Sequence, residues 1–166
     1  MKRISTLIVV ALLSVLVLAA CAPTASTPSS SNTSSTTVEF TGAKLNLNTV
    51  TGDELLATIP GFGNRMVREF QEYRPYISIQ QFRKEIGKYV DDAQVAEYEK
   101  YVYVPIAIND SDSATLQQIP GLDAAESETL IAGRPYASSE AFLTKLTDFI
   151  SAAELETAKT YLDGNS

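Results

Sequence analysis

Histidine and tryptophan are absent from this chain of 166 residues, and cysteine occurs once, at Cys21. Without histidine the chain cannot carry a Ser-His-Asp triad, a haem held by histidine or a Cys/His zinc site. A single cysteine allows no disulfide bond within the chain. The acidic pair Asp91-Asp92 stands where a helix N-cap is expected, and no nucleophile has a recognisable base partner. The sequence therefore predicts a protein that is not an enzyme and that needs no cofactor and no metal.

Residues 1–20 have the layout of a secretory signal, with two basic residues followed by an apolar run at 7–18. That run is shorter than the roughly 20 residues that a membrane-spanning helix needs. The Leu-Ala-Ala-Cys that follows resembles the lipobox of bacterial lipoproteins, in which the cysteine receives the lipid. We expect export and a lipid anchor at Cys21, on the outer face of the cytoplasmic membrane or in the outer membrane if the cell has one. The alternatives are an ordinary signal peptide and a retained membrane anchor.

The segment 21–38 continues from Cys21 with Ser, Thr, Pro, Ala and Asn, no charge and almost no large apolar side chain. Such a composition cannot bury enough surface to offset the entropy lost on ordering. We therefore predict a disordered, lipid-bearing tether.

The rest of the chain is an internal repeat, because residues 45–104 match residues 106–164 at an offset of 60. The matches that set this register are Ile-Pro-Gly at 59–61 and 119–121, and Arg-Pro-Tyr at 74–76 and 134–136. Each unit has helix breakers at the same places, and apolar residues recur between them at helical spacing. The prediction is an all-α fold of two tandem units, each of about four short helices, that pack together.

Helix starts are predicted from residues that can cap them. Thr51 with Glu54 has the spacing of a capping box. The other predicted N-caps are Ser78 and Asp91 or Asp92 in the first unit, and Ser138 and Ser151 in the second.

Arg-Pro-Tyr has a structural interpretation in both units. The arginine would bind the last carbonyls of its own helix, the proline would end the helix, and the tyrosine would pack against the next one.

The first unit carries a longer motif over residues 48–74: Asn48, Glu54-Leu55, Ile-Pro-Gly-Phe-Gly at 59–63, and Tyr73-Arg74. It resembles the helix-hairpin-helix family, and most closely the form found in ComEA-type competence DNA receptors. The resemblance implies two tandem helix-hairpin-helix units and binding of double-stranded DNA. An extrinsic photosystem II protein is similar over the same stretch, and there the resemblance implies protein binding, so the family does not imply a single function.

The hairpin has a physical rationale as an anion site. Gly61 and Gly63 are expected to supply positive φ for a tight turn. The N–H groups that open the following helix are unpaired and lie at the positive end of its dipole, which suits a phosphate. The predicted phosphate-binding residues are Gly61, Phe62, Gly63, Asn64, Arg65 and Arg68, with Lys84 and Lys88 for the opposite strand. The alternative is a simple helix connector with solvated arginines.

The second unit has lost these features. Asp123 replaces Gly63, and a carboxylate there is expected to cap its own helix. The four basic positions become Ala125, Glu128, Thr144 and Asp148. Residues 45–104 carry a net charge of −2 and residues 106–164 a net charge of −7. Because phosphate binding depends on neutralising charge, we predict that the second unit is a degenerate copy kept for packing or for an envelope protein partner.

Two functions remain open at this point. One is a non-catalytic, extracytoplasmic DNA-binding lipoprotein whose first hairpin grips the backbone without sequence specificity. The other is a protein-interaction scaffold of the cell envelope that has lost DNA binding.

Overall fold

The computed structural model describes residues 42–162, and the expectations for the signal segment, for Cys21 and for the tether lie outside the described residues. The described elements are helices α1 (Gly52–Thr58), α2 (Asn64–Glu72), α3 (Ile79–Ile86), α4 (Asp92–Tyr98), α5 (Ser113–Leu116), α6 (Ala124–Ala132), α7 (Ser139–Leu146) and α8 (Ala152–Tyr161), and strands β1 (Leu45–Asn46) and β2 (Val102–Tyr103). This part of the chain is mostly helical, as predicted. None of its helices has the length and apolarity required to cross a membrane.

Local sequence sets the helix starts. Seven of the eight described helices begin at a residue whose side chain accepts a hydrogen bond from the first turn. These N-caps are Thr51, Ser78, Asp91, Asp112, Asp123, Ser138 and Ser151. The predicted capping box of Thr51 and Glu54 is confirmed, as are the predicted caps Ser78, Ser138 and Ser151. Helix α2 is the exception, because Gly63 stands at its N-cap position.

Apolar side chains form two hydrophobic clusters, one drawn from residues 47–104 and the other from residues 103–162. The first is rich in aromatic rings and has Phe70 at its centre. Phe62, Phe82 and Tyr98 all meet the Phe70 ring edge-on, at centroid distances of 4.8, 5.2 and 5.4 Å. This geometry suits the charge distribution of aromatic rings. Phe70 therefore joins α2 to the hairpin before it and to α3 and α4.

Two short strands depart from the purely helical expectation. β1 and β2 pair in parallel, with Leu45 opposite Val102 and Asn46 opposite Tyr103. Tyr101 lies beyond the end of α4, and its carbonyl accepts a hydrogen bond from the Leu45 N–H at 2.8 Å. Strands of two residues are too short to show a period-2 pattern, so periodicity could not predict them.

Asparagine side chains clamp the chain at matching places in its two halves, residues 45–104 (the first half) and residues 106–162 (the second half). Asn48 accepts from the Tyr76 N–H at 2.7 Å and donates to the Tyr76 carbonyl at 2.9 Å. Asn109 makes the same pair of bonds with Tyr136, at 2.8 and 3.0 Å. Each amide satisfies both backbone groups of a tyrosine that has no helix or strand partner. Each clamp therefore ties the segment before the first helix to the segment after Arg-Pro.

The arginines of Arg-Pro-Tyr bind elsewhere than expected. Arg74 donates to the Val50 carbonyl at 2.6 Å, and Arg134 donates to the carbonyls of Ile108 and Ser111 at 2.9 and 2.6 Å. The prediction that they bind the last carbonyls of their own helices is wrong. Because the first two helices of each half form a hairpin, the end of the second helix lies beside the loop that precedes the first.

The tyrosines of Arg-Pro-Tyr pack as predicted. Tyr76 meets the Phe82 ring on α3 edge-on at 5.7 Å, and Tyr136 meets Phe142 on α7 at 5.2 Å. Burial raises the pKa of the Tyr76 hydroxyl well above its usual value, so this side chain stays neutral in the core.

The two halves contact each other through α5, which packs against α3. The hydroxyl of Thr115, fully buried, accepts from the Ile79 N–H at 3.0 Å. Gln118 accepts from the Val104 N–H at 2.9 Å and donates to the Val104 carbonyl at 3.1 Å. These bonds satisfy backbone groups of the first half with side chains of the second.

The Asn48→Ala substitution tests the clamp. It leaves both backbone groups of the buried Tyr76 without their partner, so we expect the free energy of unfolding to fall by roughly 2–3 kcal/mol. Asn109→Ala is the matched control. Asn109 is exposed and water can replace its amide, so a loss of about 1 kcal/mol is expected. Equal losses in urea titrations would contradict this ranking.

The Thr115→Val substitution tests the contact between the halves. Valine keeps the shape of threonine but leaves the Ile79 N–H unpaired in a buried place, at a cost of roughly 1–3 kcal/mol. Thr144→Val removes an exposed hydroxyl that donates to the Glu140 carbonyl, and it should change stability by less than about 0.5 kcal/mol. Thermal unfolding of both variants measures the difference, and a neutral Thr115→Val would show that this bond contributes nothing.

Candidate nucleic-acid interface

The hairpin between α1 and α2 is anchored by apolar side chains and turned by a glycine. Ile59 and Phe62 are buried, and the Phe62 N–H donates to the Ile59 carbonyl at 3.1 Å. Between them Gly61 adopts a φ of 70°, in the left-handed region that favours glycine. The predicted positive φ is confirmed at this position. Phe62 was also predicted to bind phosphate, but its ring lies in the core and its N–H is used within the turn.

Gly63 has a different role from the one predicted. Its φ is −119° and its ψ is 160°, an extended conformation open to any residue, so the prediction of a positive φ here is wrong. A Cβ built on Gly63 would have no atom within 4 Å. Neither the backbone conformation nor the packing requires glycine at this position. Because Gly63 has no side chain, nothing at this position covers the start of α2.

The N-terminus of α2 is therefore open. No side chain caps it, and its first turn contains no acidic residue. The predicted contacts Asn64 and Arg65 are its first two residues, and both are exposed. A capping side chain typically stabilises a helix by about 1 kcal/mol. Among the helices of residues 42–162, α2 alone does without that contribution and keeps its first N–H groups accessible at the positive end of its dipole.

Two of the four predicted cations are unpaired. Arg68 on α2 and Lys84 on α3 are both exposed, and neither forms an ion pair or a hydrogen bond within the described residues. Their charges remain available to an anion from solution.

The other two cations surround a pair of tyrosines. The hydroxyls of Tyr73 and Tyr89 lie 2.7 Å apart. The Arg65 guanidinium lies over the Tyr89 ring, 5.8 Å from its centroid, and the Lys88 ammonium lies over the Tyr73 ring at 4.9 Å. Lys88 also forms an ion pair with Glu85. The structure thus brings Arg65 and Lys88 to one cluster, which joins α2 to the turn after α3.

The pKa values of Lys88 and Tyr89 are both shifted upward in this cluster. The hydrogen bond to Glu85 raises the pKa of the Lys88 ammonium. Hydrogen bonds to Tyr73 and then to Glu69 raise the pKa of the Tyr89 hydroxyl. Both shifts favour the protonated forms, so at neutral pH Lys88 is a cation and Tyr89 is an uncharged ring.

Carboxylates fill the corresponding place in the second half. Asp123 accepts from the Glu126 N–H at 2.8 Å, and Glu126 accepts from the Asp123 N–H at 2.9 Å. The prediction that Asp123 caps its own helix is confirmed. At Gly121, where φ is 82°, a built Cβ would lie 2.6 Å from a carboxylate oxygen of Glu154. The start of α6 thus has its own carboxylates where an external anion would bind.

Sequence reasoning missed three of these residues. Tyr73 was named only as part of the family motif, and neither Tyr89 nor Glu154 was given a role. Ser151 and Glu154 do have the spacing of a capping box, which signals the helix start but not the approach of Glu154 to Gly121. Within residues 42–162, no group of three or more Cys, Asp or Glu side chains is arranged to hold a metal ion.

Comparison of the chain with protein-family models, with curated proteins and with solved structures finds no match. What the protein does must therefore be inferred from the first hairpin and from the charges around it.

Proposed function

We propose that the protein is a non-catalytic, extracytoplasmic lipoprotein that binds the DNA backbone through its first hairpin, without sequence specificity. The observation that carries this proposal is the open N-terminus of α2, the one described helix that lacks a capping side chain. A phosphate there would accept hydrogen bonds from backbone N–H groups at the positive end of the helix dipole. Backbone N–H groups that bind phosphate do not read the bases, which accounts for the lack of sequence preference.

The comparison between Gly63 and Asp123 supports the proposal. Both precede a helix of nine residues in an extended conformation, and space for a side chain exists at Gly63. At Asp123 the chain has a capping box, whereas at Gly63 it has no side chain at all. A glycine that the fold does not require, placed where a cap would stabilise the helix, is expected where an external group must approach the backbone.

The surrounding charge supports the same proposal. Arg65, Arg68, Lys84 and Lys88 are the basic residues predicted to meet phosphates, and all four are exposed. Neutralising phosphates with such side chains supplies the sequence-independent part of DNA affinity. The second half has no basic residue at any of the four matching positions. We therefore place the DNA contact on the first half alone.

We further propose that the chain contains two tandem helix-hairpin-helix units, at 45–104 and 106–164, the second of them degenerate. Three features support this interpretation: the Asn48 and Asn109 clamps, the left-handed glycines 61 and 121, and the N-caps at matching positions.

The lipobox-like sequence at Cys21 supports a lipid anchor, which would hold the DNA-binding unit near a membrane surface.

A second candidate is a protein-interaction scaffold of the cell envelope. The observation that favours it is the second hairpin, whose helix start is occupied by Asp123 and Glu126 and whose turn is covered by Glu154. With a net charge of −7, residues 106–164 would attract a basic protein surface and repel DNA. In this interpretation the first hairpin only connects α1 to α2.

The Gly63→Asp substitution separates the two candidates. Aspartate fits the backbone conformation and the open space, so α2 should gain a cap and the protein should become about 1 kcal/mol more stable. The same carboxylate would occupy the phosphate position, so DNA binding should be lost. Binding of a fluorescent random-sequence duplex to the full-length chain in detergent measures the affinity, and urea unfolding measures the stability.

The salt dependence and a neutral cap complete the test. If all four basic residues meet phosphates, the wild-type affinity should fall roughly 150-fold between 50 and 200 mM salt. Gly63→Asn caps the helix without adding a charge, so it should weaken binding less than Gly63→Asp. If the wild type binds no duplex even at low salt, the hairpin is a connector and the scaffold is favoured. If Gly63→Asp binds as well as the wild type, the contact lies elsewhere.

A further inference from the structure

Arg65 is exposed, yet an aromatic ring holds it in place. It is the second residue of α2, and its guanidinium lies over the Tyr89 ring. An exposed arginine otherwise samples many rotamers, and the loss of that freedom opposes binding when a ligand has to order it. A ring already in contact with the guanidinium lowers this cost before any ligand arrives.

The contact with Tyr89 leaves the binding groups of Arg65 free. A cation over the face of an aromatic ring is attracted electrostatically, so the contact takes up no hydrogen bond from the guanidinium N–H groups to an oxygen acceptor. No hydrogen bond or ion pair within the described residues uses them either. Arg65 is thus held beside the Tyr89 ring while its N–H groups remain available.

The Tyr89 ring is itself fixed from the other side. Its hydroxyl lies 2.7 Å from that of Tyr73, at the far end of α2. Tyr89 follows α3, so this contact holds the turn after α3 against α2. Tyr89 lies outside both hydrophobic clusters, so the packing of the core does not account for its position.

We propose that Tyr89, held by Tyr73, is a positioning residue that fixes the Arg65 guanidinium beside the open start of α2, so that one phosphate meets both. This inference rests on the proposed DNA-binding function and deepens it. The phosphate accepts from the backbone N–H groups and from a guanidinium edge that is already oriented. The tyrosines raise the affinity without touching the DNA.

The second half provides an internal comparison. The position of Arg65 is occupied there by Ala125, and that of Tyr73 by Gly133. Phe149 replaces Tyr89 and has no hydroxyl, although a cation still covers its ring, since the Lys145 ammonium lies 5.6 Å from the centroid. The tyrosine pair and the held arginine thus occur only in the half whose hairpin is open. Phe149 also offers a matched control, a ring with a cation over it beside a hairpin that is closed.

The experiment measures duplex affinity for the full-length chain in detergent at low salt, with Tyr89→Leu, Arg65→Gln and the double variant. Losing the ring should weaken binding roughly two- to five-fold, the range expected for an exposed cation over an aromatic ring. In the Arg65→Gln background, Tyr89→Leu should have no further effect, because no guanidinium is left to position. A merely structural role for Tyr89 would give additive losses.

Two further variants sharpen the result. Tyr89→Phe keeps the ring face and loses only the hydroxyl contacts, so its affinity should lie between those of the wild type and Tyr89→Leu. Phe149→Leu should leave duplex affinity unchanged. Urea unfolding of each variant shows whether it is folded, and Tyr89→Phe retains the test if Tyr89→Leu is not.

The possible failures are distinguishable. If the wild type binds DNA but Tyr89→Leu is neutral, or its effect persists without Arg65, the positioning role is overturned and the DNA-binding function stands. A loss in Phe149→Leu as large as that in Tyr89→Leu would also overturn it, since the effect would then be unrelated to the open hairpin. If the wild type binds no DNA, both proposals fall together.

Discussion

Phe70 is the side chain on which the elements of the first half converge. It has no exposed surface, and three aromatic rings meet it edge-on, from the hairpin, from α3 and from α4. The contact with Phe62 holds the hairpin from the inside. With Ile59 and Phe62 buried, the turn does not depend on its outward-facing residues for stability. Gly61 and Gly63 can therefore remain bare of side chains without loosening the hairpin.

The start of α2 is a place where local stability and access to the backbone oppose each other. Each of the other described helices gains a cap from its own sequence, worth about 1 kcal/mol in a typical protein. Helix α2 gives up that contribution at Gly63, where nothing in the backbone or in the packing forbids a side chain. The buried core offsets the loss, and the positive end of α2 faces solvent.

The two halves share a backbone plan but differ in what surrounds the hairpin. Both have an asparagine clamp, a left-handed glycine and an arginine that returns to the loop before the first helix. In the first half the hairpin is flanked by cations, two of them held over tyrosine rings. In the second half Asp123 and Glu154 occupy the corresponding space. These carboxylates close the second hairpin, because a helix start binds a nearby carboxylate of its own chain as readily as an external anion.

The sequence by itself determined the features that depend on neighbours within a few residues. The caps at Thr51, Ser78 and Asp123 follow from local spacing, and so does the left-handed turn at Gly61. The helical class and most helix starts could be predicted for the same reason. Gly63 shows the limit of this reasoning, because a glycine allows a positive φ but does not impose one.

Contacts between distant residues were decided only by the tertiary structure. The pairing of β1 with β2 joins segments more than fifty residues apart, and each is too short to have a pattern of its own. Arg74 binds Val50 rather than its own helix because the hairpin brings the end of α2 beside the start of α1. The tyrosine pair joins the end of α2 to the turn after α3, sixteen positions apart in the chain. Side chains that meet across such distances leave no periodic signal, so the residues that position Arg65 could not be read from the chain alone.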